Sequence, residues 1–284
     1  MGRLIVFLFV LGVGFVLSAE ITKKEDIEFA KVEERSLKLD LYFNGEAEKP
    51  TPLIVWIHGG AWRAGSRKGM PIQAMLARGY TIASVDYRLT PVAPFPANVH
   101  DIKAAIRFLK ANAARFGVDP QRVIIAGASA GGHLASLVGL SNGVAELEGK
   151  VGRNLDQSSE VNGVVSFYGA SDLSTILSQS TQHGLSVRVP ALKLLLGGSP
   201  EQKAELAWLA SPLAHLDSQD PPVLLVHGNA DNQMPYAQST DLKKSCDIAK
   251  IRCELITVDG GGHGGKDFYT SAILDKVTPF LKKP

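Results

Sequence analysis

The fold of this chain is indicated most clearly by five consecutive residues, Gly127-Ala128-Ser129-Ala130-Gly131. A continuous apolar run, Val123-Ile124-Ile125-Ala126, precedes it, and Gly132-His133-Leu134 follows it. A serine on a tight turn from strand to helix needs small neighbours two residues before and after it, so that the strand and the helix can approach. The first amides of the helix then point at the serine hydroxyl and favour negative charge there. The G-x-S-x-G spacing therefore predicts a nucleophile at Ser129.

Charge and cysteine content limit the kind of protein. The 284 residues carry a formal net charge of +2, and the basic residues are scattered rather than gathered on one stretch, which argues against nucleic acid as a partner. The two cysteines, Cys246 and Cys253, are too few for a disulfide framework and form either one bridge or two buried thiols. Their spacing does not indicate a metal site, and the sequence predicts no cofactor.

The first residues have the three parts of a secretory signal. A positive start at Met1-Gly2-Arg3 is followed by the apolar run 4–17 and then by Ser18-Ala19-Glu20. The apolar run is too short to span a bilayer comfortably. We therefore expect a signal peptide over residues 1–19 and a secreted or periplasmic protein without stable membrane insertion after cleavage.

Strands and helices alternate from residue 53 onward. This alternation predicts a mostly parallel sheet with helices on both faces, and the patterns at 27–32 and 36–42 add an antiparallel start. The longer segment 173–216 contains apolar clusters typical of short helices, and we interpret it as a lid-like insertion. The sequence predicts further strands at 53–57, 80–85, 123–126, 161–168, 223–227 and 253–258, and helices at 68–78, 101–112, 235–246 and 268–281.

Two more polar residues follow predicted strands and suit a hydrolytic site. Asp231 comes after the strand at 223–227, and His263 comes after the strand at 253–258. A serine hydroxyl needs a general base to become a nucleophile, and an acid must orient that base, so His263 and Asp231 complete a triad with Ser129. The chain order Ser, Asp, His is the order of α/β-hydrolases. Asp172 also follows a strand and remains an alternative acid.

The loop after the strand at 53–57 supplies candidate donors for an oxyanion. The amides of Gly59 and Gly60, together with the amide of Ala130 next to the nucleophile, are the predicted oxyanion hole. Trp62 and Tyr87 are interpreted as lining an acyl or alcohol pocket.

A loop-bracing ion pair is also predicted. Asp86 and Arg88 carry opposite charges in a proline-rich loop, so we expect them to pair with each other.

Several motifs together resemble the esterases of the α/β-hydrolase superfamily. The chain is most similar to the bifunctional feruloyl and acetylxylan esterase-like group, near the hormone-sensitive-lipase-like carboxylesterases. The motifs that carry this resemblance are His58-Gly59-Gly60-Ala61-Trp62, Asp86-Tyr87-Arg88-Leu89, Phe95-Pro96-Ala97, Gly127 to Leu134, the Asp231 and His263 loops, Leu194 to Gly198 and Ala210 to Ala214. The resemblance implies an α/β-hydrolase domain over 20–284, with the lid-like insertion at 173–216.

The same resemblance implies a function. It points to a serine carboxylesterase that acts through an acyl-serine intermediate on short or aromatic acyl esters, including acetyl or feruloyl groups on polysaccharides. Two departures bear on the branch of the family. Ala61 stands where many relatives have a third glycine, and Thr90-Pro91-Val92 lacks the acidic residue common in the lipase-like branch. The second departure favours the carbohydrate-esterase-like branch.

Two other functions remain open at the level of sequence. The same triad could open an amide, as in a formamidase or a small peptidase, and some α/β-hydrolase folds serve only as binding modules. All three triad residues are present, which disfavours the binding module. The expected partner is a small-molecule or carbohydrate ester, and the oligomeric state stays open.

Overall fold

Strand β3 (Thr51–Ile57) is covered on both faces. Leu53 and Val55 belong to one hydrophobic cluster, whereas Ile54 and Trp56 belong to the other. Successive side chains of a strand point to opposite faces of the sheet, so a strand buried on both sides is apolar without interruption. This explains why the run reads as continuously hydrophobic.

The computed structural model describes residues 21–45 and 49–281, so the predicted signal peptide lies outside the described residues. Its central sheet has eight strands in the order β1-β2-β4-β3-β5-β6-β7-β8. The strands are β1 (Ile21–Val32), β2 (Arg35–Asn44), β3, β4 (Thr81–Val85), β5 (Val118–Ala128), β6 (Gly163–Phe167), β7 (Val223–Gly228) and β8 (Cys253–Val258).

The sheet is antiparallel at one edge and parallel elsewhere. Strand β1 pairs with β2 and β2 pairs with β4 in antiparallel register, whereas all pairs from β4 through β3, β5, β6 and β7 to β8 are parallel. The predicted α/β-hydrolase architecture, with its antiparallel start, is therefore confirmed.

Helices cover both faces of the sheet. Buried residues of the helices Ala97–Ala111, Ala130–Leu140, Gln182–Leu196 and Ala237–Ala249 belong to one cluster, and those of the helix Ser271–Leu281 and of the 3-10 helix Gln73–Arg78 belong to the other. The α-helices are α1 (Ala97–Ala111), α2 (Ala113–Phe116), α3 (Ala130–Leu140), α4 (Ala145–Glu148), α5 (Ile176–Gln179), α6 (Gln182–Leu196), α7 (Ala204–Leu209), α8 (Ala237–Ala249) and α9 (Ser271–Leu281). Short 3-10 helices also occupy Pro212–His215 and Lys266–Tyr269.

The predicted helix at 68–78 is wrong in its first half. Only Gln73–Arg78 is helical, as a 3-10 helix, because Gly69 and Pro71 interrupt the segment before it. The freed carbonyl of Gly69 accepts a hydrogen bond from the indole Nε1 of Trp56 at 2.8 Å. The non-helical part is therefore bound to Trp56 of β3.

The segment 173–216 contains the helices α5, α6 and α7 and the 3-10 helix Pro212–His215. Its residues Leu192, Leu195 and Ala207 are fully buried in the same cluster as α1 and α3. The insertion is thus anchored in the core, and its role as a lid stays a prediction. No helix within 21–45 or 49–281 has the length and apolar character needed to cross a membrane.

The two cysteines are free thiols. Both Cys246, in α8, and Cys253, in β8, are buried and unbridged. A hydrogen bond with Cys246, together with burial, raises the pKa of the Cys253 thiol. Of the two alternatives that the sequence left open, the structure has the pair of buried thiols.

Gly131 allows α3 to approach β3 closely. A Cβ at this position would lie 2.1 Å from the carbonyl oxygen of Ile57 and 2.6 Å from that of His58, and neither backbone atom can move aside. We expect Gly131→Ala to lower the free energy of unfolding by at least about 3 kcal/mol, measured by urea denaturation. In Gly262→Ala, where the added methyl meets nothing within 4 Å, the change should stay below about 1 kcal/mol. Equal stabilities of the two variants would contradict this close packing.

Candidate active site

Five neighbouring strands each bring one part of the site to their carboxyl ends. In the sheet, β3, β5, β6, β7 and β8 lie side by side and run parallel. Loops at the carboxyl ends of such strands form the usual ligand crevice of open α/β sheets. The residues delivered there are Gly59 and Gly60 after β3, Ser129 after β5, Tyr168 after β6, Asp231 after β7 and His263 after β8.

The structure brings the three predicted triad residues into one hydrogen-bonded line. Ser129 Oγ lies 2.8 Å from His263 Nε2, and His263 Nδ1 lies 2.7 Å from Asp231 Oδ2. An ionised carboxylate can only accept, so Nδ1 carries the ring hydrogen and Nε2 is left to accept from the serine hydroxyl. This tautomer is the one that a general base requires.

The backbone of Ser129 has an unusual conformation. Its φ is 55° and its ψ is −120°, a region that side-chain-bearing residues rarely adopt. The amide of Ser129 donates to Phe167 O, and its carbonyl accepts from His133 N, both at 2.9 Å. The neighbouring strand and the start of α3 therefore hold the strained turn, as expected for strain stored at a functional site.

Asp231 is buried and held by four donors. Its Oδ1 accepts from the amides of Gln233 and Met234 at 2.8 Å, and its Oδ2 accepts from His263 and lies 3.3 Å from His227 Nε2. Burial alone would raise the pKa of this carboxyl, but the hydrogen bonds from His227 and His263 outweigh it and hold the pKa well below its usual range. Asp231 is consequently ionised whenever His263 works as a base.

His227 is a residue of the site that the sequence analysis does not identify. It is fully buried, its Nδ1 lies 2.7 Å from the hydroxyl of Ser239, and its Nε2 faces Asp231. The hydroxyl of Ser239 can donate to Nδ1, which leaves the hydrogen on Nε2, between the carbonyl of Met234 at 3.2 Å and the Asp231 carboxylate at 3.3 Å. The position of His227 near the end of β7, four residues before Asp231, is the sequence feature that could have indicated its place beside the acid.

Arg188, in the insertion, also faces the acid loop. It is fully buried, and its Nη2 donates to the carbonyl of Gln233 at 3.3 Å. Its Nε and Nη1 have no hydrogen-bond partner among the described residues. Burial lowers the pKa of Arg188 to about 10, and attraction to Asp231 opposes that shift. No sequence pattern connects Arg188 with residues more than forty positions away.

The predicted oxyanion donors lie beside the nucleophile. A Cβ on Gly59 would lie 3.4 Å from the Cβ of Ser129, so the loop after β3 packs directly against it. Within the described residues, the amides of Gly59, Gly60 and Ala130 donate to no other backbone group. Ala130 is the first residue of α3, where an amide has no partner inside the helix, and its side chain is buried. All three N–H groups are free to bind a developing oxyanion.

The assignment of Trp62 and Tyr87 to a substrate pocket is wrong. Neither residue lines the cleft, because both are buried behind the oxyanion loop. The indole of Trp62 donates to His133 Nδ1 at 3.0 Å, and the hydroxyl of Tyr87 donates to His58 O at 3.1 Å while its ring stacks on the His58 ring. The two aromatic residues therefore support the loop that carries Gly59.

Asp172 is not the acid of the triad. Its carboxylate accepts from the amide of Ser174 at 2.8 Å and from the hydroxyl of Thr175 at 3.0 Å, in its own loop. The carboxylate that reaches His263 is that of Asp231.

The predicted ion pair between Asp86 and Arg88 is also wrong. Arg88 pairs with Asp101, whereas Asp86 pairs with Arg67. Each residue therefore has a partner from another part of the chain in place of the local one.

The triad opens into a cleft of about 750 Å³. One wall is aromatic and consists of Trp56, Tyr168 and Tyr269, and Met70 and Pro71 also line the cleft. The ring of Tyr168 meets the His263 ring edge-on at 4.9 Å, and its hydroxyl lies 2.7 Å from that of Tyr269. Sequence reasoning missed this wall, although the position of Tyr168 at the end of β6 was a signal.

Comparison with known proteins gives the following relatives. The model of the BD-FAE family matches residues 39–246. Esterase LipC of Mycobacterium tuberculosis is 30% identical over 220 residues, which cover 76% of this chain and 53% of that protein. The chain spans about half the length of the curated relatives that it matches.

Solved structures are similar over most of the chain. A truncated form of a carbohydrate esterase from gut microbiota superimposes with a TM-score of 0.82 at 30% identity, covering 93% of this chain and 96% of that one. A bifunctional GH43-CE protein of Bacteroides eggerthii also gives a TM-score of 0.82, at 32% identity, covering 91% of this chain and 35% of that one.

Proposed function

Because this chain belongs to the BD-FAE family, we propose that it is an exported serine carboxylesterase that hydrolyses short or aromatic acyl esters on carbohydrate alcohols. The single observation that carries the proposal is the hydrogen-bonded line from Ser129 Oγ through His263 to Asp231. Three free amides lie beside its Ser129 end. Export is proposed from the sequence of residues 1–19 alone.

Acylation begins with the serine hydroxyl. His263 Nε2 accepts the proton as Ser129 Oγ attacks the ester carbonyl, and Asp231 stabilises the imidazolium that forms. The carbonyl oxygen becomes an oxyanion that the amides of Gly59, Gly60 and Ala130 can bind. Loss of one such donor typically costs about a hundredfold or more in rate, so donors already in place contribute much of the catalysis. His263 then protonates the departing alcohol oxygen, and the acyl group stays on Ser129.

Deacylation repeats these steps with water. His263 Nε2 removes a proton from a water molecule that attacks the acyl-serine carbonyl, and the same amides bind the second oxyanion. His263 returns the proton to Ser129 Oγ as the carboxylic acid leaves. The enzyme is restored without any cofactor taking part in these steps.

The cleft supports small acyl groups. Its volume of about 750 Å³ lies within the range of small-molecule sites. On the aromatic wall, Tyr269 is partly exposed and stands beside Tyr168, and the buried Trp56 backs them, so the wall offers an apolar surface for an acetyl group or a phenolic acyl chain. The similarity to a carbohydrate esterase from gut microbiota supports a sugar as the alcohol.

A panel of esters tests the proposal. We expect 4-nitrophenyl acetate and butyrate, methyl ferulate and acetylated xylan to be hydrolysed, with the acetyl ester favoured over the octanoyl ester by about tenfold or more in kcat/KM. Product release is measured by absorbance and by acetate assay, both on the purified protein and on the medium of producing cells.

Amide substrates serve as the contrasting arm of this panel. 4-Nitroacetanilide should be turned over far more slowly than 4-nitrophenyl acetate. Faster cleavage of the anilide would favour an amidase, and absence of turnover on every ester would contradict the proposal. Activity confined to the cells, with an intact N-terminus, would contradict export.

A further inference from the structure

Arg63 is a charged residue on the cleft whose role the catalytic steps leave unexplained. It lines the same cleft as Ser129 and His263, and it is exposed there. The described residues that line the cleft include no aspartate or glutamate. The cleft therefore holds a full positive charge without a countercharge beside it.

The guanidinium of Arg63 has no partner within the part of the chain that the structure describes. It makes no hydrogen bond, ion pair or ring contact with any described residue. The arginines nearby differ, because Arg67 is paired with Asp40 and Asp86, and Arg88 is paired with Asp101. Five N–H donors in a planar fork remain available at the cleft.

The backbone beneath Arg63 is rigidly held. Ala61 and Trp62 both have positive φ values, of 50° and 60°, so the chain turns Trp62 inward and Arg63 toward the cleft. The amide of Arg63 donates to Gly60 O at 3.1 Å, and the Trp62 carbonyl accepts from Thr90 N at 2.9 Å. Arg63 is thus a charged side chain on a backbone that hydrogen bonds hold in place, three residues after Gly60 of the predicted oxyanion hole. It is well placed to orient a substrate.

We propose that Arg63 binds a carboxylate of the ester substrate, so that the enzyme prefers esters carrying a negative charge over neutral esters of equal size. The inference rests on the proposed esterase function and adds the charge class of its substrate. A guanidinium matches a carboxylate through two parallel hydrogen bonds, which fix orientation as well as contribute attraction. The carboxylate belongs either to the alcohol, as in an acidic sugar, or to the acyl group, as in a half-ester of a dicarboxylic acid.

The test uses two matched pairs of substrates. For the alcohol side, 3-acetoxybenzoate is compared with 3-acetoxybenzamide, and for the acyl side, 4-nitrophenyl hydrogen adipate is compared with its methyl ester. In at least one pair, Arg63→Gln should lower kcat/KM for the anionic ester by about tenfold, equivalent to about 1.4 kcal/mol, with the neutral ester changed less than about twofold. The pair that responds identifies the side that carries the carboxylate.

Salt and charge variants separate a direct contact from a general effect. Arg63→Lys should retain part of the preference, since it keeps the charge but loses the fork. Raising the ionic strength from about 0.02 M to about 0.5 M should weaken the wild-type preference. Arg122→Gln makes the same change in net charge at the opposite end of β5, on an exposed side chain, and should leave the preference intact.

Two results would overturn the inference. One is an equal loss on anionic and neutral esters in Arg63→Gln, which would make Arg63 a support of the oxyanion loop. The other is an unchanged preference in both pairs.

A binding arm separates this inference from the proposed function. Calorimetry measures 3-acetoxybenzoate binding to Ser129→Ala with and without Arg63→Gln, and the affinity should fall about tenfold. Absence of turnover by the wild type on every ester, anionic and neutral, would contradict the esterase function. Equal affinities of Ser129→Ala and of the double variant with Arg63→Gln would contradict the role of Arg63 in binding the carboxylate.

Discussion

Replacing Ser129 with alanine is expected to lower kcat for 4-nitrophenyl acetate by at least about 10⁴-fold. The variant lacks the atom that attacks the carbonyl, and His263 Nε2 loses the proton donor that lies 2.8 Å away. Only the oxyanion amides and binding then act on attack by water. Turnover and the burst of 4-nitrophenol are measured side by side, and both should disappear.

The fold of Ser129→Ala should be unchanged. Within residues 21–45 and 49–281, the hydroxyl of Ser129 has His263 as its one hydrogen-bond partner, and the strained backbone is held by amides and carbonyls that the variant keeps. Ser136→Ala is a matched control. Ser136 is buried in α3, the helix that begins directly after Ser129, and its hydroxyl has no partner among the described residues. It should keep wild-type activity. Turnover at the wild-type rate in Ser129→Ala would overturn the assignment of the nucleophile.

Asp231→Asn is expected to lower kcat by about 10³- to 10⁴-fold while the protein stays folded. The amide nitrogen of an asparagine would donate toward His263 Nδ1, which then must accept. The ring hydrogen moves to Nε2, and this nitrogen can no longer accept the proton of Ser129. The amides of Gln233 and Met234 still find an oxygen at the other position. Steady-state kinetics and thermal unfolding of the purified variant measure the two effects.

Asp172→Asn is the control that distinguishes the two candidate acids. Asp172 binds the amide of Ser174 and the hydroxyl of Thr175 and lies outside the triad line. Its activity should remain close to that of the wild type. A large loss in Asp172→Asn together with a small one in Asp231→Asn would contradict the structure of the site.

The nucleophile turn could be predicted because its requirements are local. Small residues around Ser129 allow a strand to meet a helix, and an adjacent continuous apolar run indicates a strand buried on both faces. The positions of Asp231 and His263 followed from a general property of parallel sheets, whose functional loops gather at the carboxyl ends of strands. Chain order then separated this fold from other serine hydrolases.

Partner choice among side chains could not be predicted in the same way. Trp62 has the residue type of a pocket wall, but the positive φ values at positions 61 and 62 bury it against His133. Asp86 and Arg88 are sequence neighbours, yet each binds a residue from another element. Such contacts depend on the direction of each side chain, which adjacent residues do not reveal.

Apolar periodicity and local steric limits were enough to predict the fold class, the reversal of the chain at Ser129 and the three residues proposed as the triad, because these features depend on residue types at short spacings and at the ends of strands. The positions of the side chains that surround the triad followed only from the packing of the folded chain. Tyr168 on the aromatic wall, His227 beside Asp231, Arg188 bound to the carbonyl of Gln233, and Arg63 on the cleft come from different strands and loops or from the insertion. Their distances are set by how those elements pack in space, and no spacing along the chain encodes them.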